Sequence, residues 1–570
     1  MPKIKGNLIV QRTLLVVLIT LMSILNAGIA PAIAQPMVNT FVVNSTADLP
    51  DVDVGIGTCQ ASNGKCTLRA AIMQANFTIG ADIITVPAGT YTLTRAGLDD
   101  ADVLGDLDIT DDVTIIGAGS GLTIVDGNGT VTGDRVIQIL STAKEVTLSG
   151  LTVENGRRTA TFDEGGGIYW DGGGGHLHFS DVVVQNNSGY YGGGIYLNYS
   201  AMGDGVVIDH SVVQGNTATA AAGGLGVNFG DFASFSLSNS QIYNNSAYEG
   251  GGLYFQGTIT NFDLNFVQLQ NIDLYSNTAS LSAGIENHSG SSTVPVNLAN
   301  SHIHNNQASI YGGGIGNYGV LAISTSTLDA NSATSRGGGL YNYEGGQTNI
   351  IQSTLSGNSS TTGGGIYTEL FIHNTSLVNL TNSTLSGNTA SQDGGGIYAD
   401  GGTIGLYNAT IATNHILVPS GKVYNGMGGG LFARANVTAA VQNSLVADNT
   451  HQYQPALPVN DDCFGSVDFL GFDLIEAVTN CTNIGTSSGN ISGQSPHLST
   501  LRKNGGSTLT QAPLPGSPAI DAGHSPSCND ANGAPILVDQ RGFRRPIGTA
   551  CDIGAVEYSP YAVYISTLHK

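Results

Sequence analysis

Two short stretches decide how this chain folds: Asn382-Ser383-Thr384-Leu385-Ser386-Gly387-Asn388-Thr389-Ala390, and, just after it, Gly394-Gly395-Gly396-Ile397-Tyr398. Both recur. The apolar residue after the glycines returns as Ile168, Ile195, Leu225, Leu253, Ile285, Ile315, Leu340, Ile366, Ile397 and Leu431, at steps of 25 to 34 residues. The asparagine of the first stretch returns between them as Asn155, Asn187, Asn216, Asn245, Asn277, Asn306, Asn331, Asn358, Asn388, Asn414 and Asn449. Two columns in one register mark a repeat architecture. Within each unit the apolar residues alternate, as in Val378-x-Leu380 and Ser383-x-Leu385, which is the period of a strand. No unit holds a helical pattern, and the steps fall short of the ~40–45 residues of a propeller blade.

The reading is therefore all-β: a right-handed, single-stranded parallel β-helix with about three strands per coil and coils stacked at ~4.8 Å. The Ile and Leu column points inward. The glycines allow positive φ and tight corners. The asparagines form a ladder, each side chain bonding its equivalent one coil away. Replacing Asn358 by Ala is expected to cost ~1–3 kcal/mol.

The repeat resembles the polymorphic outer-membrane protein repeats, over roughly residues 150–450. That resemblance implies a cell-surface or secreted β-helix and no particular reaction. Four regions are expected: a signal peptide at 1–34, an N-terminal cap with the first irregular coils at 35–150, repeats at 151–455 and a C-terminal capping region at 456–570. Lys3, Lys5 and Arg12 precede the apolar run Leu14 to Leu25, and Ala32-Ile33-Ala34 supplies small residues for cleavage. No transmembrane segment is expected after cleavage. Cys66 to Asn76 reads as a lid helix capped by Thr67. It is similar to the CSLREA segment of exported β-helix proteins, although Ala70 stands where that family has Glu. Near the C-terminus, Ser517 to Gly523, Asp539 to Pro546 and Cys551 to Glu557 together resemble the choice-of-anchor Q domain of secreted and surface proteins.

Six cysteines allow 15 pairings. Export favours disulfides over a metal cluster, and proximity favours Cys59–Cys66, Cys463–Cys481 and Cys528–Cys551.

The chain has a net charge of −23, and only 11% of its residues are charged. That excludes a phosphate-binding footprint, so nucleic acid is not an expected partner. A glycan or a surface protein is, and a monomer is expected. Asp99, Asp100, Asp102, Asp106 and Asp108 form a loop that could hold Ca²⁺; no other cofactor is expected. The residue after the inward Ile should face outward, making a stripe that includes Tyr341, Tyr367 and Tyr398, suited to stacking on sugar rings.

The favoured function is a non-catalytic adhesive, binding or structural envelope module. The alternative is a polysaccharide lyase or glycoside hydrolase on the same fold. Its carboxylates would come from Asp163, Glu164, Asp171, Asp204, Asp209, Glu249, Glu286, Glu344, Glu369 or Asp393. No two of these share a column, and His176, His178 and His210 read as surface residues. Arg541, Arg544, Arg545, Asp521, Asp539, Asp552 and Glu557 read as a buried ion-pair network.

Overall fold

The computed structural model describes residues 38–560 except 200–202, 231–233, 258–266, 290–294, 344, 370–375, 423–425, 484–487, 525–527 and 531. The expected signal segment and Glu344 lie outside the described residues.

The chain forms a parallel β-solenoid of about 12 turns. One coil shows the construction. Thr354–Ser356 leads through Asn358 into Ser359–Thr362, the glycine corner leads into Ile366–Thr368, and Leu377–Thr381 completes the turn. Each coil thus carries four short strands rather than three, because the chain bends a second time at Asn382, whose φ is +46°. The next coil lies in parallel register, with Leu355 opposite Leu385, Ile366 opposite Ile397 and Val378 opposite Ile404. The whole Ile and Leu column after the glycines is buried, as is the Leu328, Leu355, Leu385 and Ile411 column. Together they line one continuous core.

The triple glycine has a steric cause at each position. Gly363 sits at φ +65°, where a Cβ is strained. A Cβ on Gly364 would lie 2.5 Å from the carbonyl oxygens of Gly395 and Thr389, and one on Gly365 would lie 2.6 Å from that of Gly396. The corner therefore packs backbone against the backbone of the next coil.

The asparagine ladder is buried and continuous. Nδ2 of Asn358 donates to Oδ1 of Asn388 at 2.9 Å and to the Leu328 carbonyl at 3.0 Å. Its own Oδ1 accepts from the N–H and Nδ2 of Asn331 at 3.0 and 3.1 Å. The pattern repeats from Asn187 to Asn449 and ends on an acid, Asp462, which accepts from both nitrogens of Asn449 at 3.1 and 2.9 Å. Asn155 does not belong to it. That residue is exposed in a left-handed turn and bonds Asp126, while the Gly156 N–H donates to Asn187 Oδ1 at 2.8 Å. The ladder needs the asparagine one position later than Asn155 stands, and glycine occupies that place.

The helix Leu68–Phe77 begins on Thr67, whose hydroxyl accepts from the Ala70 N–H at 3.1 Å. Leu68, Ala71, Ile72 and Ala75 bury one face against the first coils. Parallel pairing already runs through Thr40–Val42, Asp82–Val86, Val113–Gly117 and Glu145–Glu154, so coils are present well before residue 150. No described helix is long and apolar enough to cross a membrane.

The three disulfides join Cys59 to Cys66, Cys463 to Cys481 and Cys528 to Cys551. The first lies beside the lid helix and the second ties the last coils together. The third belongs to a C-terminal region that does more than close the end. This region folds back along the flank of the solenoid. Asn443 Nδ2 donates to the Asp552 carbonyl at 3.1 Å, Asn408 to Asn529 at 2.9 Å, and Asn382 to Val538 at 2.7 Å. Further back, Thr354 Oγ1 donates to the Leu509 carbonyl at 2.5 Å. The corner asparagines and hydroxyl columns on the outer face thus serve as a docking track. Arg541 pairs with Asp539 at 2.7 Å and Arg545 with Glu557 at 3.1 Å, all four buried. Arg545 also donates to the carbonyls of Asp552 and Gly554 at 2.7 and 2.6 Å. These charges hold the strap together.

Candidate functional site

Where the strap ends its return, it overhangs the coils. Residues 502–510 form a hairpin closed by mutual backbone bonds between Arg502 and Thr510 at 3.1 and 2.9 Å. It is pinned at Thr508 and Leu509 to the coil holding Gln352 and Thr354. Its tip shelters a cleft of about 410 Å³ against the preceding coils. Asn300, Ser301, Thr325 and Thr327 line one wall with His302 and Asp329, and Lys503, Ser507 and Leu509 line the other. Five of the nine lining residues carry a hydroxyl or a carboxamide, and His302, Asp329 and Lys503 add ionisable groups.

The strands beneath it carry an acid–imidazole cluster. Asp273 lies opposite His302 in register, and His304 lies opposite Asp329. His304 Nε2 lies 3.0 Å from Asp273 Oδ1, and His302 Nε2 contacts Asp329. The two imidazoles stack with centroids 4.0 Å apart, and Tyr275 stacks on His304 at 5.0 Å. The hydrogen bond to Asp329 raises the His302 pKa above its ordinary value. Sequence reasoning passed over these residues. The signal was present: Asp273, His302, Thr327 and Thr354 each stand four places before a ladder asparagine, and Tyr275, His304 and Asp329 stand two places before one.

The expected tyrosine stripe does not face solvent. Tyr341 and Tyr367 are 0% and 2% exposed. Tyr341 is stacked between Tyr311 and Tyr367 at 4.9 and 5.1 Å, and Tyr398 between Tyr367 and Phe432 at 5.2 and 4.6 Å. Arg336 covers Tyr367, 5.0 Å from its centroid. The Tyr341 hydroxyl donates to Glu369, and that of Tyr367 to Asp400, each at 2.8 Å. In-register coils bring equivalent rings to stacking distance, so each ring face is taken by the next ring. No face remains for a sugar.

The acidic loop is also drawn inward. Asp102, Asp106 and Asp108 are buried, while Asp99 Oδ1 stays local and accepts from the Ala101 and Val103 N–H groups. Asp102 Oδ1 accepts from the Asp108 N–H at 2.7 Å, and Asp102 Oδ2 from Asn76 Nδ2 at 2.8 Å. Arg69 of the lid helix, itself buried, reaches the carbonyls of Gly105 and Asp106 at 2.8 and 2.7 Å and pairs with Asp48 at 2.6 Å. A guanidinium therefore already sits on loop carbonyls that a cation would use. Asp106 Oδ2 and Asp108 Oδ1 are buried without a hydrogen-bond partner. Burial pushes Asp102 and Asp108 up to about 8. A cleft of about 220 Å³ opens onto Asp99, Asp100 and Asp106, with Asp134 and Arg135 on its wall.

Of the other carboxylates, Glu286 stands out. It interrupts the tyrosine row, opposite Tyr254 on one side and Gly316 on the other. Burial pushes it up to about 8, with the charge of Glu249 adding to the effect. Its Oε2 has no hydrogen-bond partner. Asp163 pairs with Arg158, and Asp209 with His210. His176 pairs with Glu145 at 2.8 Å in full view of solvent.

An all-β parallel solenoid with a strapped flank and a cleft beside the strap is the class these features define. The Chlamydia polymorphic membrane protein repeat matches residues 382–400. Among solved structures, the chain is similar to the A-modules of two mannuronan C-5 epimerases of Azotobacter vinelandii. For AlgE6 the identity is 16%, over 60% of this chain and 93% of that one, at a TM-score of 0.34. For AlgE4 the values are 17%, 64%, 94% and 0.36. Pectate lyase Pel9A is 13% identical over 92% of this chain and 98% of its own, at a TM-score of 0.30. Likeness at this level carries no chemistry across. No curated protein matches the chain.

Proposed function

We propose that this chain is exported and works at or outside the cell surface as a non-catalytic binding module, with the flank cleft as the seat of a hydroxyl-rich ligand, a glycan in the first instance. The observation that carries this reading is the cleft itself, where hydroxyl and carboxamide groups of the sheet meet a hairpin that carries Lys503. Such groups exchange hydrogen bonds with a neutral saccharide without needing ring stacking. The disulfides support an oxidising compartment. The matched repeat, whose name speaks of membrane proteins of Chlamydia, supports surface exposure. So do the signal-like N-terminus and the resemblance of the C-terminal motifs to an anchoring domain.

A polysaccharide panel assayed for retention and turnover tests the reading. Retention without turnover, weakened by Lys503→Ala and Thr327→Val, is the expected result. Turnover of any member overturns it. In that case the second reading applies, a carbohydrate-active enzyme.

A further inference from the structure

Beside the cleft, three ligand-bearing side chains converge from two neighbouring coils. The strand Asp273–Tyr275 supplies a carboxylate, and the strand His302–His304 supplies two imidazoles on one face, two residues apart. One ligand atom from each of Asp273, His302 and His304 lies within 4.8 Å of the other two. Asp273 Oδ1 stands 3.0 Å from His304 Nε2 and 3.8 Å from His302 Nδ1. Ligands at ~2.0–2.2 Å from a tetrahedral Zn²⁺ lie roughly 3.3 Å from one another, so modest side-chain movement closes the set. The cluster is open to entry: the side chains of Asp273 and His302 are 41% and 46% exposed.

We infer that Asp273, His302 and His304 form a binding site for one divalent transition-metal ion, zinc by its ligand chemistry. Two imidazoles and one carboxylate suit zinc over calcium, which takes oxygen ligands alone. The surroundings add to the case. Asp329 holds His302 by Nε2, which leaves Nδ1 toward Asp273. A carboxylate on the far nitrogen of a ligating imidazole fixes its tautomer and orientation. The amide of Asn305 lies 2.8 Å from His304 Nδ1, where turning it end for end presents its oxygen to that nitrogen. Three protein ligands leave a fourth position. Because His302 also lines the cleft, that position is reachable by a water or by an oxygen of whatever the cleft holds. The inference stands apart from the glycan reading, since it concerns the metal alone.

The columns provide substitutions that the fold accepts. Position 273 is occupied by Gln241 one coil earlier, and position 302 by Thr327 one coil later. Calorimetric titration of the full chain with ZnCl₂, and separately with CaCl₂, should show one zinc site that calcium does not fill. Asp273→Gln and His302→Thr should each remove it, with thermal midpoints in chelator unchanged. Asp329→Asn, outside the ligand set, should weaken zinc binding about 10–100-fold. His210→Ala, remote on the surface, should leave it intact. Absence of zinc binding, or binding that survives Asp273→Gln and His302→Thr, overturns the site and reduces the cluster to a hydrogen-bonded surface group. Glycan retention in chelator reports on the cleft separately.

Discussion

Replacing Asn358 by Ala tests the ladder that holds the coils in register. The side chain makes four hydrogen bonds inside the solenoid and is fully buried. After truncation, Asn331 Nδ2 keeps its bond to the Ile303 carbonyl at 2.8 Å, and Asn388 Oδ1 keeps the Asn358 N–H at 3.0 Å. The Asn331 N–H loses its acceptor, and the Leu328 carbonyl loses one donor but keeps its place in the ladder with the next coil. At ~1–3 kcal/mol for the one buried group left without a partner, the cost is about the single-group figure the sequence suggests. A solenoid opens locally before it unfolds as a whole, so hydrogen exchange read by mass spectrometry is the better assay. Peptides spanning residues 327–362 should lose protection, while those in the coils around Asn187 hold theirs. Asn379→Ala is the control: this residue bonds Asn349 at 3.1 Å on the outer face and should change little. Equal effects from the two variants, or no local loss at Asn358→Ala, would refute the idea that the inner ladder holds the register.

Other outcomes follow from buried charge. Asp102 and Glu286 keep their protons in the fold up to about pH 8, whereas the unfolded chain releases them near its ordinary carboxylate values. The folded state therefore loses about 1.4 kcal/mol per pH unit for each retained proton as pH rises through that window, and nothing further above it. Thermal midpoints in chelator should fall from pH 5 to pH 8, and Glu286→Gln should flatten part of the slope; a midpoint that rises with pH contradicts this. If the acidic loop takes calcium, calcium should raise the midpoint through the Asp106 and Asp108 oxygens that lack a hydrogen-bond partner, and Asp106→Asn with Asp108→Asn should abolish the rise; an unchanged melt in calcium and in chelator ends the calcium reading. Arg69→Met should destabilise the N-terminal lid by ~3–5 kcal/mol, because Asp48 is left buried without its partner; protection of the helix Leu68–Phe77 that matches the parent would contradict it.

What the sequence determined by itself was everything that repeats. A column of Ile and Leu after glycines, at steps of 25 to 34 residues, can bury itself only by stacking in parallel. The lid helix was legible because its cap and apolar face are local: Thr67 followed by Leu68, Ala71, Ile72 and Ala75. The near-neighbour cysteine pairs were legible because their separations are 7, 18 and 23 residues. Which way a repeated side chain faces was harder. Tyr341 and Tyr367 alternate outward from Leu340 and Ile366, as a strand requires, yet stacked rings and Arg336 cover them. Alternation fixes the side of a sheet and says nothing of what lies over it. The flank cleft belonged to tertiary structure alone. It exists because Gln540 reaches Ser353 and Thr354 across more than 180 residues, a meeting no local pattern encodes. The acid–imidazole cluster lies between these extremes: its residues share a register that the asparagine column reveals, but only the coil-to-coil spacing brings Asp273 within reach of His304.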